Sequence, residues 1–215
     1  MSETEQALRR DIVWAMQAME QRGLNRGTSG NVSARVEGGM LITPSGVPAG
    51  ELTPDSIVRM PTDRLPDDTT LRPSSEWRMH GGLYDALSDG GAVVHCHSRH
   101  ATILACAGKP IPPLHYMVGV SGKPTVPLAP YAPFGSAELA AGVAAAMDGG
   151  LACLMANHGQ IAIARTVSRA LAIAEEIEEQ AAIYWGTLLI GGPNLLDDEQ
   201  MAEVFRRFRS YGQKR

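Results

Sequence analysis

The sequence predicts one layered domain of mixed strands and helices, α/β or α+β in class. Short apolar runs rich in β-branched residues alternate with segments of helical periodicity, and strand-like runs often follow one another directly. A chain of 215 residues suits one domain with a substantial core. No internal repeat, linker or low-complexity tract interrupts residues 1–215.

The elements follow in order. Leu8, Ile12, Met16 and Met19 recur at helical spacing between Glu3 and Arg22, and Gly23 stands where that helix would end. The Gly27-Thr28-Ser29-Gly30-Asn31 loop leads into a strand at Val32, and Met40-Leu41-Ile42-Thr43 reads as the next strand. Pro44-Ser45-Gly46 turns the chain, and Ile57 to Met60 forms a further strand. Pro73 to Arg78 opens a helix, with serines at the cap and Glu76 in the first turn. Ala92 to Ser98 reads as a buried strand, followed by a short helix from Arg99 to Ala107. Lys109 to Pro113 is a stiff extended connection, and Thr125 to Leu128 reads as an edge strand because it contains Pro127. Ser136 caps an Ala-rich helix to Met147, and Leu151 to Ala156 pairs in a hairpin with Gln160 to Ala164. Val167 to Ile190 is the longest helix, stopped by Gly191-Gly192-Pro193, and a last helix runs from Asp197 to about Tyr211.

Composition excludes several classes of function. A net charge of −4 gives no concentrated basic face for nucleic acid. Arg206, Arg207 and Arg209 read as the solvated side of an amphipathic helix. No apolar run is long enough to span a membrane, and the polar start is unlike a signal peptide. Cys96, Cys106 and Cys153 show no disulfide pattern, so a reduced cytoplasm is the expected setting.

Chemistry concentrates on β-strand histidines. Side chains two apart on a strand share a face, so His95 and His97 project together and Cys96 points away. Two imidazoles so placed can approach one cation, and His158 in Asn157-His158-Gly159 offers a third ligand at another strand end. Spacing alone leaves two readings open, a hydrogen-bonded histidine pair and a metal site. His80 and His100 read as packing or surface residues. Taken locally, the Thr28–Asn31 loop and the Ser74-Ser75-Glu76 helix start are an ordinary turn and an ordinary cap, or else an anion site built from backbone N–H groups and hydroxyls.

Taken together these segments resemble the class II aldolase/adducin family, in its L-fuculose-phosphate aldolase branch. The matching segments are Gly27-Thr28-Ser29-Gly30-Asn31-Val32-Ser33, Leu41 to Gly46, Pro73 to Arg78, Ala92 to His97 and Asn157-His158-Gly159. Ile111 to Met117, Ala129 to Ala132, Phe134-Gly135 and Tyr211-Gly212 also fit. The resemblance implies a three-layer α/β/α sandwich with a largely antiparallel central sheet, assembled as a homotetramer with sites at subunit interfaces. It implies reversible cleavage of a ketose 1-phosphate, of the L-fuculose 1-phosphate type, to dihydroxyacetone phosphate and an aldehyde. His95, His97 and His158, with Glu76 when substrate is absent, would hold one zinc per subunit, other divalent metals being alternatives. Glu76 would be the acid/base, Tyr116 would handle the aldehyde oxygen from a neighbouring subunit, and Tyr211 would help close the site. Thr28, Asn31, Ser45, Gly46, Ser74 and Ser75 would hold the phosphate.

Asn157 departs from family members that carry histidine there, which bears on subtype rather than on metal binding. Alternatives on the same scaffold are a 5-deoxyribulose- or methylthioribulose-1-phosphate aldolase, a dehydratase, a 4-epimerase and a decarboxylase. A rival from another class is a non-catalytic adducin-like binding module, which need not keep three histidines, Glu76 and the serine loop. A dinucleotide-binding redox enzyme is disfavoured because the glycine loop lacks the Gly-x-Gly-x-x-Gly pattern.

Overall fold

The computed structural model describes residues 2–67 and 70–210. Helix α1 spans Glu3–Gln21, with the Ser2 hydroxyl accepting from the Glu5 amide at 3.2 Å. Gly23, at φ 74°, turns the chain so that Leu24 N–H bonds the Met19 carbonyl at 2.8 Å. Strands β1 (Asn31–Val36), β2 (Gly39–Ile42) and β3 (Val58–Met60) form a meander. Then come α2 (Trp77–Ala86), β4 (Ala92–Cys96), α3 (Arg99–Cys106), β5 (Leu128–Ala129) and α4 (Ala137–Met147). The hairpin β6 (Ala152–Met155) and β7 (Gly159–Ala164) precedes α5 (Val167–Leu189) and α6 (Asp198–Ser210).

The strands make one sheet in the order β3-β2-β1-β4-β7-β6-β5. Every pairing is antiparallel except that of β5 with β6. The two-residue alternation of the strands sorts the core into two clusters. Val94, Cys96, Val32 and Leu154 pack under Ile12, Met16, Leu104, Leu171 and Ile177, from α1, α3 and α5. Val93, Ile161, Cys153 and Met155 pack instead under Trp77, Leu83, Tyr84, Leu139 and Val143, from α2 and α4. The result is a three-layer α/β/α sandwich. Among the described residues no helix is long and apolar enough to cross a membrane, and all three cysteines are unpaired.

Beyond shifts of a residue or two at element ends, two features differ from the sequence reading. The strand expected at Thr125–Leu128 is Leu128–Ala129, because Pro127 has no N–H for the ladder. Val126 instead makes an isolated bridge with Ile111. Glu76 occupies the N-cap position of α2 rather than its first turn, yet its side chain makes no capping bond. The Glu76 carboxylate instead accepts from Asn31 Nδ2 at 2.9 Å, while Ser74 Oγ accepts from the Glu76 amide at 3.3 Å.

Candidate metal centre and active-site cavity

The sheet register builds the centre. Asn31 of β1 lies opposite His95 of β4, and His95 lies opposite Ile161 of β7. His97 follows the end of β4, and His158 sits in the β6–β7 turn, where Asn157 adopts φ 55°. Their ligand nitrogens lie within 4.8 Å of one another. His97 Nε2 is 3.1 Å from His95 Nε2. Glu76 joins from the start of α2, with Oε2 3.1 Å from His95 Nε2 and Oε1 3.2 Å from His158 Nε2.

This donor set fits a cation. Ligands about 2.0–2.1 Å from a tetrahedral zinc stand roughly 3.3 Å apart, close to these spacings. His95 Nδ1 lies 2.8 Å from the Gln160 carbonyl and donates to it, which turns Nε2 to the centre, where a cation would replace its proton. Glu76 Oε1 is buried with no hydrogen-bond partner among the described residues. Burial lowers His97 and His158 to about 4, assisted by the charge of neighbouring His95. Both imidazoles are therefore neutral at neutral pH, the form that binds metal. Burial opposes the charged forms of Glu76 and His95. Their mutual attraction prevails, holding the carboxyl below the usual carboxylate range and His95 above the usual imidazole value.

Backbone contacts fix the surroundings. Gly30 has φ 73°, and a Cβ there would meet Asn25 Nδ2 at 2.1 Å. Its bare backbone lets the Asn25 carboxamide pass and accept from the His97 amide at 3.0 Å. The loop around Ser45 is zipped to the start of α2 by a Pro44–Pro73 bridge. Ser74 N–H bonds the Thr43 carbonyl at 2.9 Å, and Ser45 N–H bonds the Arg72 carbonyl at 2.9 Å. Those two amides are thus used within the protein, so the polar wall there rests on hydroxyls and the neighbouring backbone.

A cavity of about 330 Å³ opens beside the centre. It brings together Thr28, Asn31, Ser45, Gly46, Ser74 and Ser75 with Glu76, His97 and His158. Asn157, Tyr131 and Phe134 line it as well. His95 is wholly buried behind them. Tyr116 does not line the cavity of its own chain: it begins a 3-10 turn, is half exposed, and rests against His115 and Phe208. Tyr211 lies outside the described residues. His100 bonds Glu178 at 2.8 Å, away from the centre.

Sequence reasoning overlooked Asn25, Gln160 and the role of His80. His80 is fully buried with Nε2 2.5 Å from Asn31 Oδ1, and it is not a ligand. A signal did exist, because Glu76, His80 and Tyr84 are spaced i, i+4, i+8 along one helix face.

Residues 10–185 match the sequence model described as Class II Aldolase and Adducin N-terminal domain. The chain belongs to the class II aldolase/adducin family. It is 44% identical over 209 residues to a 5-methylthioribulose-1-phosphate/5-deoxyribulose-1-phosphate aldolase of Rhodospirillum rubrum, covering 96% of this chain and 93% of that protein. It is 42% identical over 206 residues to an L-fuculose phosphate aldolase of Escherichia coli strain K12, covering 95% of each. A solved L-fuculose 1-phosphate aldolase superposes with a TM-score of 0.91 at 36% identity, over 97% of this chain and 98% of that one. The class II aldolase fold and the three-layer architecture are thus the same finding reached from two sides.

Proposed function

We infer that this protein is a metal-dependent aldolase that reversibly cleaves a ketose 1-phosphate to dihydroxyacetone phosphate and an aldehyde. The observation that carries this reading is the convergence of His95, His97, His158 and a buried, ionised Glu76 on a cavity with neutral hydroxyl walls. The three histidines, with Glu76 in the absence of substrate, would hold one zinc or a similar divalent ion. When bound, such an ion supplies Lewis-acid stabilisation of the enediolate charge, without a Schiff-base lysine. Thr28, Asn31, Ser45, Gly46, Ser74 and Ser75 would orient the phosphate end through neutral donors.

Glu76 moves the proton. In the synthetic direction its carboxylate takes one from the hydroxymethyl carbon of dihydroxyacetone phosphate. In cleavage the bond between that carbon and the future aldehyde carbon breaks, and the hydroxyl on the aldehyde carbon releases its proton to solvent. Glu76, protonated from solvent, delivers a proton to the carbon left behind. Tyr116, half exposed on its own chain, would serve the aldehyde oxygen of a neighbouring subunit's site. This suits a homotetramer, as do the strongly exposed Tyr131, Phe134 and Ile190. Light scattering should give about four times the 22.9 kDa chain mass.

The test is dihydroxyacetone-phosphate release from L-fuculose 1-phosphate and from 5-deoxyribulose 1-phosphate, measured alongside metal content. Release from either, with about one zinc per chain, supports the reading, and the rate ratio names the aldehyde preference. Stoichiometric zinc with no release from either sugar would overturn it in favour of a dehydratase, epimerase or decarboxylase. No metal and no release after zinc is restored would favour a binding module.

A further inference from the structure

We propose that His80 is a positioning residue that orients the Asn31 carboxamide so that its N–H donates to the acid/base Glu76, through a one-directional relay running Tyr84, Ser33, His80, Asn31, Glu76. The role assigned to Glu76 rests on the aldolase reading above; the relay rests on its own geometry. Each link is short and buried. Tyr84 OH is 2.7 Å from Ser33 Oγ, and Ser33 Oγ is 2.7 Å from His80 Nδ1. His80 Nε2 is 2.5 Å from Asn31 Oδ1, and Asn31 Nδ2 is 2.9 Å from Glu76 Oε2. Ser33, His80 and Tyr84 are at most 1% exposed.

The direction follows from the last link backwards. Asn31 Nδ2 donates to Glu76 Oε2, so the carboxamide presents its NH₂ to Glu76 and its oxygen to His80. A carboxamide oxygen only accepts, so His80 must carry its proton on Nε2. Burial holds His80 neutral, lowering it to about 3. Its Nδ1 is therefore an acceptor, filled by the Ser33 hydroxyl, and Ser33 Oγ in turn accepts from Tyr84. Without the His80 donor the carboxamide can rotate and turn its oxygen toward the carboxylate, removing a charge-assisted bond and adding repulsion. The sequence supplies this device by matching two periods. Glu76, His80 and Tyr84 lie on one face of the chain entering and forming α2, and Asn31 and Ser33 share one face of β1.

The experiment has two arms on the zinc-loaded full chain. In the first, ¹⁵N NMR reads the His80 imidazole without any reaction. A protonated Nε2 and bare Nδ1 are expected, and the opposite tautomer would overturn the relay. In the second, solvent exchange at the hydroxymethyl carbon of dihydroxyacetone phosphate is measured for H80L, S33A and H80Q. H80L should lower the exchange rate at saturation by about 10–100-fold, as loss of groups supporting active-site residues typically does, with zinc content nearly unchanged and any rise in KM, from the phosphate side of Asn31, smaller than the fall in rate. S33A should fall in the same direction by less, and H80Q, which can still donate to Asn31 Oδ1, should regain most of the loss. Wild-type rates in both H80L and S33A, or a rise in KM with no fall in rate, would refute the proposal. If H80L fails to fold, S33A and the tautomer decide. If the wild-type chain itself neither exchanges nor cleaves, the aldolase reading fails, while the tautomer still judges the relay.

Discussion

The two faces of the central sheet differ in kind. Toward α1, α3 and α5 the strands present Val32, Val94, Cys96 and Leu154 to an apolar layer. Toward α2, the neighbouring positions Asn31, Ser33 and His95 enter a buried polar column with His80, Tyr84 and Glu76. Cys96 and His95 are adjacent in sequence and equally buried, yet burial pushes the thiol up to about 12, while Glu76 raises the imidazole. A buried polar group is tolerated only with partners. The α1/α3/α5 face is therefore filled by volume, whereas the α2/α4 face adds to its own apolar cluster a column of complementary donors and acceptors that can position chemistry.

Breaking the polar face should abolish activity without unfolding the chain. H95A removes a donor at the centre, and we expect metal loss with at least a thousandfold fall in kcat/KM, about 4 kcal/mol of transition-state stabilisation. Metal analysis and kinetics on the same preparation check this, and full activity with zinc retained would refute the ligand assignment. Breaking the apolar face should do the converse. I177A opens a cavity under α5 and should cost roughly 2–5 kcal/mol in chemical denaturation, leaving turnover per folded molecule intact. A smaller effect sharpens the contrast within the cavity. S74A should raise KM for the sugar phosphate about three- to tenfold, the ~0.5–1.5 kcal/mol of one hydrogen bond, and leave zinc content unchanged. The smallest effect concerns the thiols. Cys96 and Cys153 are buried with pKa values pushed to about 12, whereas Cys106 is exposed. Iodoacetamide should label one thiol per native chain, with little loss of stability, and mass spectrometry should place the label on Cys106.

Much of this contrast is legible in the sequence because periodicity decides which face a residue joins. The His95/Cys96/His97 alternation assigns the faces of β4 before any tertiary contact is known. The apolar stripe of α5 and the Gly23 stop of α1 are local signals of the same sort. What sequence could not supply was partnership between distant elements. The approach of His158 to His95 depends on β7 pairing with β4, and that of Asn31 on β1 pairing along the other edge. Glu76 looked like an ordinary first-turn acid, because only the tertiary fold offers its carboxylate a better partner than the helix end. His80 reads as a packing or surface residue for the same reason: its meaning lies in Asn31 and Ser33, some fifty residues away. The family resemblance bridges the gap for Glu76, His158 and Asn31 by supplying the company those segments keep, and leaves His80 unassigned.

The central claim is that Glu76, held ionised on the polar face, carries the proton in the reaction. The most direct measurement is solvent exchange at the hydroxymethyl carbon of dihydroxyacetone phosphate, followed by ¹H NMR in deuterium oxide, for wild-type and E76Q chains reconstituted with zinc. A general base contributes about 10²–10⁴-fold, so E76Q should lose at least a hundredfold in exchange while keeping its fold and phosphate binding. Exchange at the wild-type rate in a folded, zinc-loaded E76Q chain would contradict the account.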